Sequence, residues 1–178
     1  MATIRGRQHE PRLHPAAGFT LLELMAILII ITILVLFLTP NMGEYLRRAA
    51  EVRCMGNMRS ITIGLHGYLA DNGNVWPQGP SQADEEAWGQ FWVGALKAQG
   101  ITASTWQCQT IRAANRGSEK LIHYAPTSFP PVPGIANRWS THPWLIERGN
   151  AHGKGALICF PDGSTKPFDK VLAELGVQ

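Results

Sequence analysis

From Phe19 to Thr39 the chain is apolar at almost every position, and Glu23 is the one ionisable side chain in that stretch. A helix rises about 1.5 Å per residue, so about 20 apolar residues cross the hydrocarbon of a bilayer. The pattern therefore predicts a transmembrane helix over 19–39. The competing reading is a buried core helix, but such helices rarely keep so long an unbroken apolar run. A carboxylate placed inside the run costs about 3 kcal/mol, so Glu23 needs a partner or a task.

Beyond the run the period changes. Met55, Met58, Ile61, Thr62, Leu65, Tyr68 and Leu69 recur at intervals of three and four, whereas Arg53, Asn57 and Arg59 fall elsewhere on the helical wheel. This spacing predicts an amphipathic helix over 40–72, continuous with the membrane helix apart from a kink at Pro40. Gly56, Gly64 and Gly67 weaken it and point to close backbone packing. Asp71-Asn72-Gly73-Asn74 stops it, because Gly and Asn tolerate the left-handed backbone that follows a helix end.

Residues 73–178 read as a small head. Positions 78–90 are polar and turn-rich and predict a surface loop, in which Asp84, Glu85 and Glu86 fit a solvated helix start better than a cation site. FWVGALKAQGI predicts a short amphipathic helix ended by Gly100, and TWQCQT around Cys108 a short strand or extended segment. The prolines of 125–145 exclude a central strand or helix there and predict an irregular loop, with Trp139 and Trp144 lying on the core. Ala156 to Phe160 suits a strand, Pro161-Asp162-Gly163-Ser164 a turn, and Thr165 to Phe168 the returning strand. The expected fold class is α+β: a long N-terminal helix, half transmembrane and half amphipathic, packed on a small antiparallel sheet.

Composition narrows the function. The chain has 178 residues and a formal charge of +3, with 16 basic and 13 acidic residues. Arg5, Arg7, Arg12 and Glu10 precede Gly18, so removal of that segment leaves +1, and no block of like charge suggests nucleic acid. His123, His142 and His152 are too widely spaced for a recognisable zinc pattern, and no serine lies in a nucleophile motif. No catalytic constellation, cofactor motif or metal set stands out, which argues against an enzyme. His66 reads as a satisfied helix residue. His152 and Asp162 would be far apart along a straight strand and could pair only if 150–154 folded back; the structural reading is that Asp162 orders the turn and His152 anchors the start of the strand by hydrogen bonding. Three cysteines are too few for a disulfide scaffold and allow three pairings.

Residues 1–18 are polar and basic and lack an apolar centre, so they cannot insert. Their arginines favour a cytoplasmic location, although Arg47, Arg48 and Arg53 beyond the run weaken the charge asymmetry. LFLTPNMG after the run is a poor signal-peptidase site; the small residue, Gly18, precedes the run instead.

Gly18-Phe19-Thr20-Leu21-Leu22-Glu23 followed by the apolar helix resembles the class III signal of type IV pilins and type II secretion pseudopilins. The resemblance implies a pilin-like fold, cleavage between Gly18 and Phe19 by a prepilin peptidase, and N-methylation of Phe19. It further implies that Glu23 meets the N-terminal amine of a neighbouring subunit during assembly, and Pro40 matches a proline often found near the outer end of these helices. A second signature resembles a prepilin-like subgroup: Arg53-Cys54, Asn57-Met58-Arg59, Leu65, Tyr68, Asp71-Asn72 and Pro77, followed near the C-terminus by His152 and Asp162-Gly163 in the H-X9-DG arrangement. Pro161 departs from the small or acidic residue often found there. The subgroup places cysteines near Cys54 and Cys108, which implies a disulfide between them if the head faces an oxidising compartment. Related heads often bind calcium, but the nearby carboxylates Asp162, Asp169 and Glu174 do not support carrying that site over.

The implied protein is a structural subunit of a pseudopilus or type IV pilus-like filament for protein secretion. It would be single-pass in the inner membrane with its head outside the cytoplasm, and its partners would be the peptidase, other pilin-like subunits, an assembly platform and the membrane. The alternative is a processed, membrane-anchored binding module with a Trp-rich head that does not polymerise.

Overall fold

The computed structural model describes residues 18–38, 42–81, 84–114, 121–174 and 176. Residues 1–17 of the expected 1–18 leader and the expected kink at Pro40 lie outside the described residues. The chain divides into two compact units, one reaching Met42 and the other starting at Gly43.

In the first unit, α1 spans Leu21–Leu38. Thr20 starts it: the Glu23 N–H donates to Thr20 Oγ1 at 3.2 Å, which satisfies one of the donors that a helix start leaves open. Within the helix the Thr32 hydroxyl donates to the Leu28 carbonyl at 2.7 Å, so the one hydroxyl of α1 is satisfied without water. None of the helix residues is buried, and by length and composition the helix can cross a membrane. A core helix would bury a face against its own chain, and α1 does not.

The second unit is built on α2, Met42–Asp71. Cys54, Met58, Ile61, Thr62, Leu65 and Leu69 form its buried stripe, at the spacing that the sequence predicts. The helix stops where expected, with Gly73 and Asn74 at φ 63° and 60° and the Asn74 N–H donating to Leu69 O at 2.7 Å. Gly64 faces the segment after the next helix so closely that a Cβ there would lie 2.6 Å from Ile101 Cγ1. α2 is therefore part of the head's compact unit, not a rod leading to it.

α3, Glu85–Ala95, begins inside the stretch expected to be loop. Asp84 is the reason: its carboxylate caps the helix by accepting the Ala87 N–H at 2.8 Å, and the acids behind it suit the positive end of the helix. A 3-10 turn, Lys97–Gln99, follows and ends at Gly100, whose φ is 78°. The extended reading of TWQCQT holds at Gln107, whose φ is −109° and ψ 126°, and is corrected on either side of it. Ala103–Trp106 is a 3-10 turn and Gln109–Ala114 is α4, with Cys108 immediately before α4. Local bonding by short polar side chains favours the turn: Thr102 Oγ1 lies 2.9 Å from Ser104 Oγ, and the Thr105 N–H donates to Thr102 O at 3.0 Å.

Four short strands, β1 (Tyr124–Pro126), β2 (Leu145–Glu147), β3 (Leu157–Cys159) and β4 (Thr165–Pro167), form one antiparallel sheet in the order β1-β2-β3-β4. The predicted hairpin is β3–β4. The proline-rich region is less irregular than its composition suggests: Pro126 is tolerated because β1 is an edge strand, and Leu145, beyond the last proline, opens the central strand β2. A last helix, α5, spans Phe168–Glu174.

Trp76, Trp92, Trp106 and Trp144 are all buried, and Trp76 touches Phe129 and Trp144 at ring separations of 4.8 and 5.1 Å. Each such ring contributes about 2–3 kcal/mol through burial and edge-to-face contact. The expectation that Trp139 also lies on the core is corrected. It is 49% exposed and carries the Arg138 guanidinium over its ring at 5.4 Å, whereas Trp144 is held inside by donating its indole N–H to Ala136 O at 3.0 Å.

Candidate functional site

Among the described residues two constellations are candidates for function, and each lies within one compact unit. The first is the N-terminal end of α1. Gly18 and Phe19 precede the helix and are exposed, Phe19 to 78%, and Glu23 sits in the first helical turn with the rest of the exposed apolar surface behind it. The three residues thus lie within about one turn of each other along the chain, at the open end of the helix.

The second is buried in the head and is assembled from four separate elements. Cys54 comes from α2, Cys108 from the start of α4, Glu147 from the end of β2, and His152 from the connection between β2 and β3. One potential ligand atom from each lies within 4.8 Å of all the others, and all four residues are buried. His152 Nε2 lies 3.6 Å from Cys108 Sγ and 3.3 Å from Glu147 Oε1.

Local chain chemistry explains the convergence. Gly149, Gly153 and Gly155 all have positive φ, and the Gly155 N–H donates to Asn150 Oδ1 at 3.0 Å, so the connection doubles back on itself. The fold-back that would let His152 find a partner does occur, but the side chain meets Glu147 and Cys108. Cys108 is clamped by its backbone, whose N–H donates to His123 Nδ1 at 2.9 Å. Glu147 Oε2 accepts the Leu157 N–H at 3.3 Å, which leaves Oε1 facing His152.

Electrostatics in this pocket are strongly perturbed. Burial, reinforced by the neighbouring Cys108, pushes the Glu147 carboxyl up to about 7, with His152 opposing. A hydrogen bond between the two thiols holds Cys54 below its ordinary value and, together with burial, pushes Cys108 up to about 12. Burial raises the Tyr124 hydroxyl beside Cys54 as well. All three cysteines are free thiols here; Cys54 and Cys108 are neighbours but not joined. Cys159 belongs elsewhere, with its Sγ 3.2 Å from Thr62 Oγ1.

A cysteine, a histidine and an acid in contact invite a comparison with nucleophilic triads. In those the acid orients the ring through the nitrogen opposite the one facing the nucleophile. Here Glu147 and Cys108 both face Nε2, and the thiol has no exposed surface. The arrangement converges donors on a point and offers no approach for a substrate.

Asp162 and Gly163 form the turn between β3 and β4. Asp162 Oδ1 accepts the Ser164 N–H at 2.8 Å, and Gly163 takes φ 77°. Hydrogen bonding from Ser164 holds the Asp162 carboxyl below its ordinary range. His66 ties α2 to this turn, its Nε2 lying 2.7 Å from Pro161 O. Of the carboxylates considered for calcium, Glu174 pairs with Lys166 at 2.6 Å.

Sequence reasoning brought Cys54 and Cys108 together only as an implied disulfide, took His152 by itself, and missed both Glu147 and the four-residue cluster. The only sequence signals were the two cysteines and the glycine-rich turn around His152.

No family model matches the chain, and no solved structure matches it. Among curated proteins it is similar to the competence protein ComGC of Halalkalibacterium halodurans, 36% identical over 92 residues that cover 52% of this chain and 76% of ComGC. That relationship and the exposed apolar α1 describe a membrane-anchored, single-pass protein. The chain belongs to the pilin-like family that includes ComGC.

Proposed function

We propose that this protein is a structural filament subunit, not an enzyme. A prepilin peptidase cuts it between Gly18 and Phe19, the new Phe19 amine is methylated, and the product is built into a pseudopilus or type IV pilus-like filament. The observation that carries this reading is α1 itself: an apolar helix buried on no side, with Glu23 as its one ionisable residue, one turn from the cleavage position. Such a surface suits lipid before assembly and identical neighbours afterwards. In that apolar setting the Glu23 carboxylate pairs with the N-terminal ammonium of an adjacent subunit, and the match sets the register between them. Similarity to ComGC supports a competence-type filament, while the H-X9-DG arrangement of His152 and Asp162-Gly163 supports the prepilin-like subgroup. The head faces away from the cytoplasm, and an inner-membrane platform supplies the subunits to a filament that serves competence or protein secretion.

Glu23→Ala is the decisive variant. Cleavage should proceed, so that the mature mass starts at Phe19, while filaments disappear from sheared fractions. Filaments at the normal level would remove the assembly role of Glu23. Full function without any filament would favour the membrane-anchored binding module, whose binding face would be the open cleft lined by Trp76, Trp88 and Phe129.

A further inference from the structure

We propose that Cys54, Cys108, Glu147 and His152 form a structural site for one tetrahedral divalent transition metal, with zinc the ion the donor set suits best. Two thiolates, an imidazole and a carboxylate are all donors that zinc accepts, and four protein ligands with no open position characterise its structural sites.

The spacing fits an ion at the centre. Tetrahedral bonds of about 2.3 Å to sulfur and about 2.0–2.1 Å to nitrogen or oxygen put sulfur about 3.6 Å from nitrogen and nitrogen about 3.3 Å from oxygen. Cys108 Sγ and His152 Nε2 are 3.6 Å apart, and His152 Nε2 and Glu147 Oε1 are 3.3 Å apart. Nε2 is also the nitrogen that the fold aims at Cys108 and Glu147.

The polar inventory points the same way. His152 and Glu147 have no exposed side-chain surface, and Glu147 Oε1 has no hydrogen-bond partner among the described residues. Four buried polar groups gathered in an otherwise apolar core are costly unless something satisfies them together. A divalent ion does so while releasing the two thiol protons to solvent. The site then carries one net negative charge, and the Arg47 guanidinium, which donates to the His152 carbonyl at 3.4 Å, lies on the side that offsets it.

The consequence is mechanical. The ligands come from α2, the start of α4, the end of β2 and the β2–β3 connection, so one ion pins the spine helix to the sheet. In a head with strands of only three residues, that link supplies cohesion that the sheet alone lacks. It also occupies two adjacent thiols that would otherwise be free to form a disulfide. The inference does not depend on filament assembly.

The test uses the full chain extracted in a non-ionic detergent, without chelator, and treated with a thiol-blocking reagent at lysis in one arm. Elemental analysis should find about one zinc per chain. Replacement of zinc by cobalt should give thiolate charge-transfer absorption and the intense visible bands of a tetrahedral site. Cys54→Ser, Cys108→Ser and His152→Gln should each weaken cobalt binding at least about tenfold, while Cys159→Ser should leave it unchanged. If a variant fails to fold, the cobalt spectrum of the reduced wild-type chain decides alone. Absence of that spectrum overturns the proposal, as does equal metal retention by the Cys54→Ser/Cys108→Ser double variant. A Cys54–Cys108 disulfide in the blocked, metal-free chain overturns it too.

Discussion

His152 Nε2 lies 3.3 Å from Glu147 Oε1 with neither side chain exposed: Glu147 closes β2, and His152 lies inside the glycine-rich connection that follows it. Removing one member of a buried polar pair strands the other. His152→Ala should therefore destabilise the head by about 3–5 kcal/mol, read as a fall in the denaturation midpoint of the detergent-solubilised chain. In a double-mutant cycle with Glu147→Gln, the two losses should be less than additive by more than about 1 kcal/mol. Simple additivity would show that the contact is not energetically coupled.

Processing depends on the small residue ahead of the apolar run. Gly18→Val should leave the leader attached, so that intact-mass measurement of membrane extracts finds the precursor in place of a chain beginning at Phe19. An unchanged mature mass would move the cleavage position away from Gly18.

Gly64 is where α2 passes closest to its neighbour in the head. A Cβ at this position would lie 2.6 Å from Ile101 Cγ1, a buried side-chain atom that can move only if the Ile101 χ1 rotamer changes. Gly64→Val should cost about 2 kcal/mol through overpacking, in spite of the gain expected when glycine leaves a helix. Thermal unfolding measures this directly, and a stabilised variant would mean that Ile101 repacks freely.

The Asp162 turn has a pH signature. Ser164 lowers the folded-state pKa of Asp162 below its ordinary value of 3.8, so the charged form is favoured in the folded chain. The resulting stabilisation is fully present above the unfolded value and disappears as pH falls through the lower, folded one. Because the carboxylate is largely exposed, it amounts to about 0.5 kcal/mol. Asp162→Asn should therefore be slightly less stable than wild type near pH 6, with the difference closing as pH falls below 3.8 and through the lowered folded-state value. A gap that persists in acid would assign the turn's stability to shape and not to charge.

Periodic features were readable without coordinates. The apolar run of α1, broken only by Glu23, can satisfy its backbone in lipid as a helix, and the three-and-four spacing from Met55 to Leu69 can bury one face only as a helix. The β3–β4 hairpin was equally legible, because Pro161-Asp162-Gly163 combines a preset φ, a side-chain acceptor and a residue at ease with positive φ. Less could be read where no repeating pattern exists. TWQCQT looked extended, but hydroxyl bonds around Thr102 curl it into a helical turn; Asp84 started a helix earlier than the apolar pattern suggested.

At Gly18, Phe19 and Glu23, local sequence was enough to nominate a site, since its members are near neighbours along the chain. The Cys54, Cys108, Glu147 and His152 cluster is the opposite case. Its ligands are spread over most of the head, and no spacing rule links residues that four different elements deliver. Only packing of α2 against the sheet, with the turn through Gly149, Gly153 and Gly155 folding His152 inward, brings the four donors to one point. The sequence by itself determined the membrane helix, the amphipathic spine and the hairpin, because each follows from interactions within a few residues. Tertiary structure alone decided which buried thiols, acid and imidazole meet, because that depends on contacts between segments far apart in the chain.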